Sequence, residues 1–344
     1  MTTVIRRANL ETDRGLLIEA IGRWLTPEAD ERRFDWLYRQ GPHGPAHVWI
    51  ATKGENGPLI GAAAAFPRRM YAKRAIQTSC VLGDFFVMPE YRSLGPAVQL
   101  QRACLSMLGP ESFGSCYDFP ASAMVPVYKR LSIEPTNNLV RLAKPLRTDR
   151  KMQELVKVPL LAKGASLAAN QILKAKDRVR TANGGCEISL LTDSCGEEFT
   201  SLAASISDQN GICTERSAEY LNWRYRNHYC RQYEFLMARR QGRLLAYLVY
   251  TRNGEQAEIA DLFGVDEPAF LSQLVMEAAE RLRREGVATV SAPILGSHRW
   301  LAFFEELGFH ARESCPVVIY SPSHGAAETA NHSSWLLMQG DRES

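Results

Sequence analysis

One stretch of this 344-residue chain has the residue types and order of a phosphate cradle. An apolar strand, Val81-Leu-Gly-Asp84-Phe85-Phe86-Val87, runs through Met88-Pro89-Glu90-Tyr91 into Arg92-Ser93-Leu94-Gly95-Pro96-Ala97, and a helical run follows over residues 98–108. Backbone N–H groups at a helix start have no intrahelical partner, and the helix dipole favours an anion there, so such a turn can hold a pyrophosphate. Gly95 lets the backbone approach phosphate with no Cβ in the way, and Ala97 keeps the second approach small. Pro96 has no N–H and removes one donor from the cradle. The same spacing also fits a plain strand–turn–helix whose arginine faces solvent.

The elements that must position this turn occur twice. Trp36-Leu-Tyr38-Arg39-Gln40 and Trp223-Arg-Tyr225-Arg226-Asn227 share the pattern W-x-Y-R followed by a side-chain amide. Each is followed by two apolar strands around a polar turn, His47–Ala51 with 59–66 and Glu234–Ala238 with 244–250, which reads as a hairpin in both halves. Val81–Val87 then parallels Ile259-Ala-Asp261-Leu-Phe263-Gly-Val265, and Pro126-Val-Tyr128-Lys-Arg-Leu131-Ser-Ile133 parallels Ala302-Phe-Phe304-Glu-Glu-Leu307-Gly-Phe309. The ordered matches predict two copies of one α/β unit, residues 1–147 and 186–344, each a curved mixed sheet with helices on both faces. Residues 148–185 are left as a linker. From Pro145 to Cys186 there are nine Lys/Arg against three Asp/Glu, and Leu155, Val158, Leu161, Leu167 and Ile172 recur at near-helical spacing interrupted at Pro159. This reads as an amphipathic helix packed on the domains, or as a basic helix that makes peripheral contact with an anionic membrane through residues 148–180.

Composition sets the outer limits. With 45% hydrophobic and 23% charged residues the chain is neither disordered nor fibrous, and a formal charge of +3 gives no reason to expect a nucleic-acid partner. No apolar run is long enough to span a bilayer, and the charged start Met1-Thr-Thr-Val-Ile-Arg6-Arg7 does not read as a signal peptide. The eight cysteines include no CxxC pair, so reduced thiols, a cytoplasmic location and no metal are expected.

Arg92-x-x-Gly95-x-Ala97 after Val87-x-Pro89-x-Tyr91 resembles the acyl-CoA-binding motif of GNAT-type N-acetyltransferases, and Tyr128-Lys-Arg-Leu131-Ser-Ile133 resembles their late helix. Phe119-Pro120, Leu142–Leu146, Phe304–Phe309 and the closing Trp335–Asp341 extend the likeness to a tandem GNAT protein. The resemblance implies an acyl-CoA-dependent N-acyltransferase, with acetyl-CoA or another acyl-CoA as co-substrate and a small-molecule primary amine as acceptor. The amine would attack the thioester directly and form a tetrahedral oxyanion, with no covalent enzyme intermediate. It places the donor on Phe86, Val87, Met88, Arg92, Ser93, Leu94, Gly95, Pro96 and Ala97, with the oxyanion near the backbone N–H groups of Phe86–Met88. Tyr128 takes the position of the residue that hydrogen-bonds or protonates the departing sulfur. Asp84 is the candidate base, but Asp261 stands at the equivalent place, which suits a structural carboxylate equally.

The second copy departs from the pattern, with Asp266-Glu-Pro-Ala-Phe270 where the phosphate turn should be and Phe304 in place of Tyr128. It is expected to have lost donor binding and to wall the acceptor site. Among the remaining candidates, Arg68-Arg69 and Lys73-Arg74 read as a solvated basic face or as a greeting surface for an acidic acceptor. His43 reads as a turn residue and His298 as a helix cap. Trp36 and Trp223 read as fold-building, and Cys116 has no base beside it. Two other functions share these features: a Fem-type aminoacyl-tRNA-dependent transferase, and a non-catalytic GNAT-like scaffold.

Overall fold

In the computed structural model the described residues are all but 1–2, 56, 73–74, 150–151, 153–158, 181–183, 208, 323–334 and 344. In chain order, β1 (Thr3–Arg7), α1 (Arg14–Trp24), α2 (Glu31–Phe34), β2 (His47–Lys53), β3 (Leu59–Ala72), β4 (Ala75–Val87), α3 (Leu94–Leu105), β5 (Ser115–Asp118), α4 (Val125–Arg130) and β6 (Asn137–Pro145) form the first series. After α5 (Pro159–Arg180) come β7 (Glu187–Leu190), α6 (Glu197–Ser205), β8 (Cys213–Thr214), α7 (Ala218–Leu221), β9 (Tyr233–Arg240), β10 (Arg243–Asn253), β11 (Gln256–Gly264), α8 (Pro268–Arg284), β12 (Thr289–Leu295), α9 (Trp300–Glu306) and β13 (His310–Tyr320). The second series repeats the order of the first, with the short β8 added.

The local reasons are legible. β3 is buried along nearly its whole length, so its Leu59-Ile-Gly-Ala-Ala-Ala-Ala-Phe66 run is continuously apolar rather than alternating. In α8, Phe270, Leu271, Leu274, Val275, Ala278 and Leu282 recur at helical spacing and are buried, while Arg281, Arg283 and Arg284 sit in the last turn, where cations suit the helix dipole.

The two series do not close separately. The strands form one sheet in the order β1-β2-β3-β4-β5-β13-β6-β12-β11-β10-β9-β7. β13 lies antiparallel to β5, with Ile319 opposite Tyr117, and β6 lies antiparallel to β12, with Ala292 opposite Leu142. Each series therefore gives its last strand to the other's sheet, and the exchanged strands pair with each other at the centre, Cys315 opposite Leu139. Where the repeat predicts a curved sheet in each of residues 1–147 and 186–344, the exchanged strands join the two into one.

The repeated W-x-Y-R motif marks the other meeting point of the two series. It forms a π-helical turn in each, Asp35–Arg39 and Asn222–Arg226. The two indoles stack at 4.9 Å, and each indole N–H donates to the backbone carbonyl of the other tryptophan, both at 2.9 Å. The fold-building role read for these residues corresponds to this reciprocal contact. The basic pair Arg68-Arg69 works beside it rather than facing solvent. Arg68 is buried, with its guanidinium over the Trp223 ring at 5.3 Å, and Arg69 forms a forked ion pair with Glu215, Nη2 to Oε1 being 2.9 Å. Lys73-Arg74 lie outside the described residues, as do Leu155 and Val158 of the linker. His43 belongs to the same junction, its ring stacked on Tyr220 and its Nδ1 accepting from the Arg69 N–H. His298 Nδ1 accepts from the Trp300 N–H at the start of α9, as read for a helix cap.

Candidate active site

β4 and β5 are hydrogen-bonded in parallel only at Ser79–Val81 and Ser115–Tyr117. Beyond that the strands part, and a cavity of about 420 Å³ lies between them, lined by Gly83, Asp84 and Phe85 of β4 and by Asp118 and Phe119 on the other side. The β4 wall is shaped by a bulge. Ala62 pairs with Phe86 and Ala64 with Gly83, so Asp84 and Phe85 stand opposite Ala63 alone, and Asp84 adopts φ +43°.

At the outer end of the split, the Met88 N–H donates to the Ile60 carbonyl, so it belongs to the sheet and leaves the oxyanion no donor there. In an antiparallel ladder the next residue back faces the opposite edge. Consistent with that, the Val87 carbonyl accepts from Arg92 Nε at 3.3 Å, so the Val87 peptide groups look toward the open side. The turn then enters α3, whose N-cap Ser93 makes no side-chain cap. The N–H groups of Ser93, Leu94 and Gly95 are those a helix of this start leaves without an intrahelical acceptor, and Pro96 contributes none. A Cβ on Gly95 would meet nothing closer than Ser93 Oγ at 3.9 Å, so the space over this turn is open.

The two proposed chemical residues sit differently from the expectation. Asp84 is gripped by Arg33 through two 2.8 Å contacts and by the Tyr38 hydroxyl at 2.6 Å, with side-chain exposures of only 7% for Asp84 and 3% for Arg33. Both carboxylate oxygens are thus engaged, which is the geometry of a structural ion pair. Asp261 repeats it in the other series, paired with Arg216 at 3.1 Å. Tyr128 is fully buried and does not line the cavity; its hydroxyl donates to Asp118 Oδ2 at 2.5 Å and accepts from Gln101 Nε2 at 3.0 Å. Tyr128 therefore reaches the cavity through Asp118. Cys116 is buried away from the cavity wall.

Two carboxyl groups that the sequence does not single out, Asp118 and Glu343, line the cavity instead, both half-buried. Burial pushes Asp118 up to about 7, with a further rise from Glu343 and an opposing pull from the Tyr128 hydrogen bond. Burial also raises Glu343 above its ordinary value. Glu343 belongs to a segment, 335–343, that crosses between the halves. Its first part occupies the place in the second series where β11 and β12 diverge. The Leu295 N–H donates to the Leu337 carbonyl, Ile294 bridges to Met338, and a Cβ on Gly340 would lie 1.9 Å from the Tyr225 hydroxyl and 3.0 Å from the Ala260 carbonyl. Asp341 anchors the segment to Arg216 at 3.0 Å, and the Tyr117 hydroxyl donates to its carbonyl. Trp335–Asp341, read as a closing strand, is thus a buried strap joined by single bridges. The chain then emerges at the first split, with Arg342 over Phe119 and Glu343 against Gly83, where a Cβ would lie 2.6 Å from Glu343 Cγ. Tyr229, Arg231 and Cys315 of the second series complete the cavity wall. The signal for Glu343 was weak: a carboxylate two residues beyond a resemblance to a strand.

No protein-family profile and no curated protein sequence matches the chain. Solved structures do. A probable N-acyltransferase from Enterococcus faecalis V583 superposes with a TM-score of 0.66 at 11% identity, over 93% of this chain and 73% of that one. A GCN5-related N-acetyltransferase from Anabaena variabilis gives 0.64 at 11% identity, over 92% and 72%. Saccharomyces cerevisiae N-myristoyltransferase with bound myristoyl-CoA gives 0.57 at 10% identity, over 92% and 82%. The chain has the fold of the GNAT-type acyltransferases over almost its entire described length, the fold its sequence resembles.

Proposed function

We propose that this protein is an acyl-CoA-dependent N-acyltransferase that carries its donor in the split between β4 and β5. The observation that supports it most is the conjunction, at one sheet edge, of a parallel pair that parts, a bulged strand, and an uncapped helix start with open space above Gly95. The pyrophosphate would lie on the Ser93–Gly95 amides with Arg92 beside it. The pantetheine would run along the open edge at Val87, and the thioester would enter the cavity. Acyl-CoA as donor also agrees with the myristoyl-CoA carried by one of the structural neighbours. Within this reading residues 1–147 hold the donor. Residues 186–344 wall the acceptor side, their own split being filled by 335–341, and their sequence has Asp266-Glu267 where the phosphate turn should be.

The acceptor amine attacks the thioester carbonyl, the N–C bond forms to give a tetrahedral oxyanion, and the C–S bond breaks as that intermediate collapses. Glu343 accepts the proton that the attacking nitrogen loses, and Asp118, protonated near neutrality and held by Tyr128, returns one to the thiolate. Asp84 is a positioning residue here, fixing the bulge through Arg33 and Tyr38. The test is release of free CoA thiol from acetyl-, octanoyl- and myristoyl-CoA with a panel of amino sugars, amino acids and polyamines. Amine-dependent release that Asp118→Asn slows by about a hundredfold or more supports the reading. Release indifferent to amine, or to that substitution, would refute it.

A further inference from the structure

The helix α5 is turned inside out. Its protein-facing side is held largely by polar contacts beside the half-buried Ala169 and Leu173: Asp177 is ion-paired with Lys144 and Arg283, Lys174 with Glu280 at 3.5 Å, and Asn170 accepts from the Thr148 N–H and hydroxyl. Its outward side carries one apolar arc among exposed Lys163, Gln171, Lys176, Arg178 and Arg180. Leu161, Ala165, Ala168, Ile172, Ala175 and Val179 are all exposed. At ~100° per residue they fall within an arc of about 80°, so they form one stripe along the ~33 Å axis of the helix. The large side chains on it are far from covered: Leu161 is 64% exposed, Ile172 57% and Val179 88%, with Leu167 at 58% on one flank. A stripe of that kind on a folded protein marks a surface that something else covers.

Charge selects the occupant. Lys176 and Arg180 flank one side of the stripe and Arg178 the other, and the helix has no acidic residue except the buried Asp177. A second copy laid stripe to stripe would set these cations against a helix with no exposed acid to meet them. An anionic lipid surface takes both components together, the apolar side chains entering the acyl boundary and the lysine and arginine heads meeting the headgroups. We propose that the outward face of α5 docks this protein on an anionic bilayer surface, with the helix lying in the plane of the interface.

The test is co-sedimentation of the full-length protein with vesicles of phosphatidylcholine alone and of phosphatidylcholine with about 30% phosphatidylserine. The expected result is pelleting with the anionic vesicles, weak pelleting with the neutral ones, and release at about 0.5 M salt. Ile172→Glu/Val179→Glu removes the apolar anchor and should abolish pelleting. Lys176→Glu/Arg178→Glu should weaken it by at least roughly fivefold per site. All four side chains are exposed, so both variants should keep the wild-type thermal midpoint. No pelleting with anionic vesicles at low salt would overturn the proposal, as would equal pelleting of wild type and variants. So would a wild-type dimer in sedimentation velocity that Ile172→Glu/Val179→Glu converts to monomer, since that assigns the stripe to a second copy.

Discussion

Replacing Asp84 distinguishes a structural carboxylate from a catalytic one. In Asp84→Ala the Arg33 guanidinium stays buried with its forked partner gone, and the Tyr38 hydroxyl loses its acceptor as well. Breaking a buried pair from one side typically costs about 3–5 kcal/mol, because a charge is left uncompensated in the interior. For 344 residues an unfolding entropy of roughly 0.7 kcal/mol/K turns that into a fall in Tm of about 4–7 °C. Arg33→Ala should cost a similar amount, for the mirror reason. The double variant Arg33→Met/Asp84→Leu should recover much of the loss, because neither charge then remains buried alone. The assay is calorimetry on these three variants and on Asp84→Asn, beside thiol-release kinetics on each. A structural Asp84 predicts that the double variant regains activity as it regains stability. The reasoning is refuted if Asp84→Asn keeps its Tm while kcat collapses, or if the stable double variant is inactive, because either result makes Asp84 the base.

Other expectations follow from the same geometry. Asp118 has its folded value raised to about 7 against an ordinary carboxyl near 4, so between those pH values the folded state holds a proton that the unfolded state has released. Stability relative to Asp118→Asn should therefore fall as pH rises from about 4 to about 7 and then level off, as thermal unfolding across pH would show. As the proton donor to sulfur, Asp118 should also give a limb of kcat that declines above about pH 7 and is absent in Asp118→Asn. Tyr128→Phe removes a hydrogen bond that holds Asp118 down, so a pH–rate profile should show that limb moved upward rather than lost. Gly83→Ala would place a Cβ 2.6 Å from Glu343 Cγ and displace it, lowering kcat by about tenfold to a thousandfold while isothermal titration finds donor affinity unchanged. Trp36→Phe and Trp223→Phe each remove one 2.9 Å hydrogen bond of the reciprocal pair and should cost about 0.5–1.5 kcal/mol by denaturant titration.

What the sequence revealed and what it hid divide along chain distance. The turn at Arg92–Ala97 and the order of the elements are local patterns, and the repeat is legible because each of its matched segments is itself short and contiguous. The repeat also exposed Trp36 and Trp223 as a pair, though not that their indoles meet. The strand exchange was invisible because β6 and β13 have the same apolar character whichever neighbour they take, and periodicity fixes a strand's face rather than its partner. Asp84 stays open between base and structural carboxylate in the sequence because its partner Arg33 lies 51 residues away, and Arg68 reads as solvated because the Trp223 ring that covers it lies in the other half. Glu343 reaches Gly83 only through the path of the strap, which depends on the glycine at 340 passing beneath Tyr225.

The central claim is that the split between β4 and β5 holds an acyl-CoA, and thermal unfolding with added acetyl-CoA, longer acyl-CoAs and free CoA tests it most directly. At a hundred times its dissociation constant a ligand adds about 2.7 kcal/mol, which for this chain is a rise of roughly 4 °C. The account predicts a saturable rise that Gly95→Trp removes, since the indole would fill the open space over the turn. Millimolar acyl-CoA of every length leaving the transition unmoved, or moving wild type and Gly95→Trp alike, would contradict it.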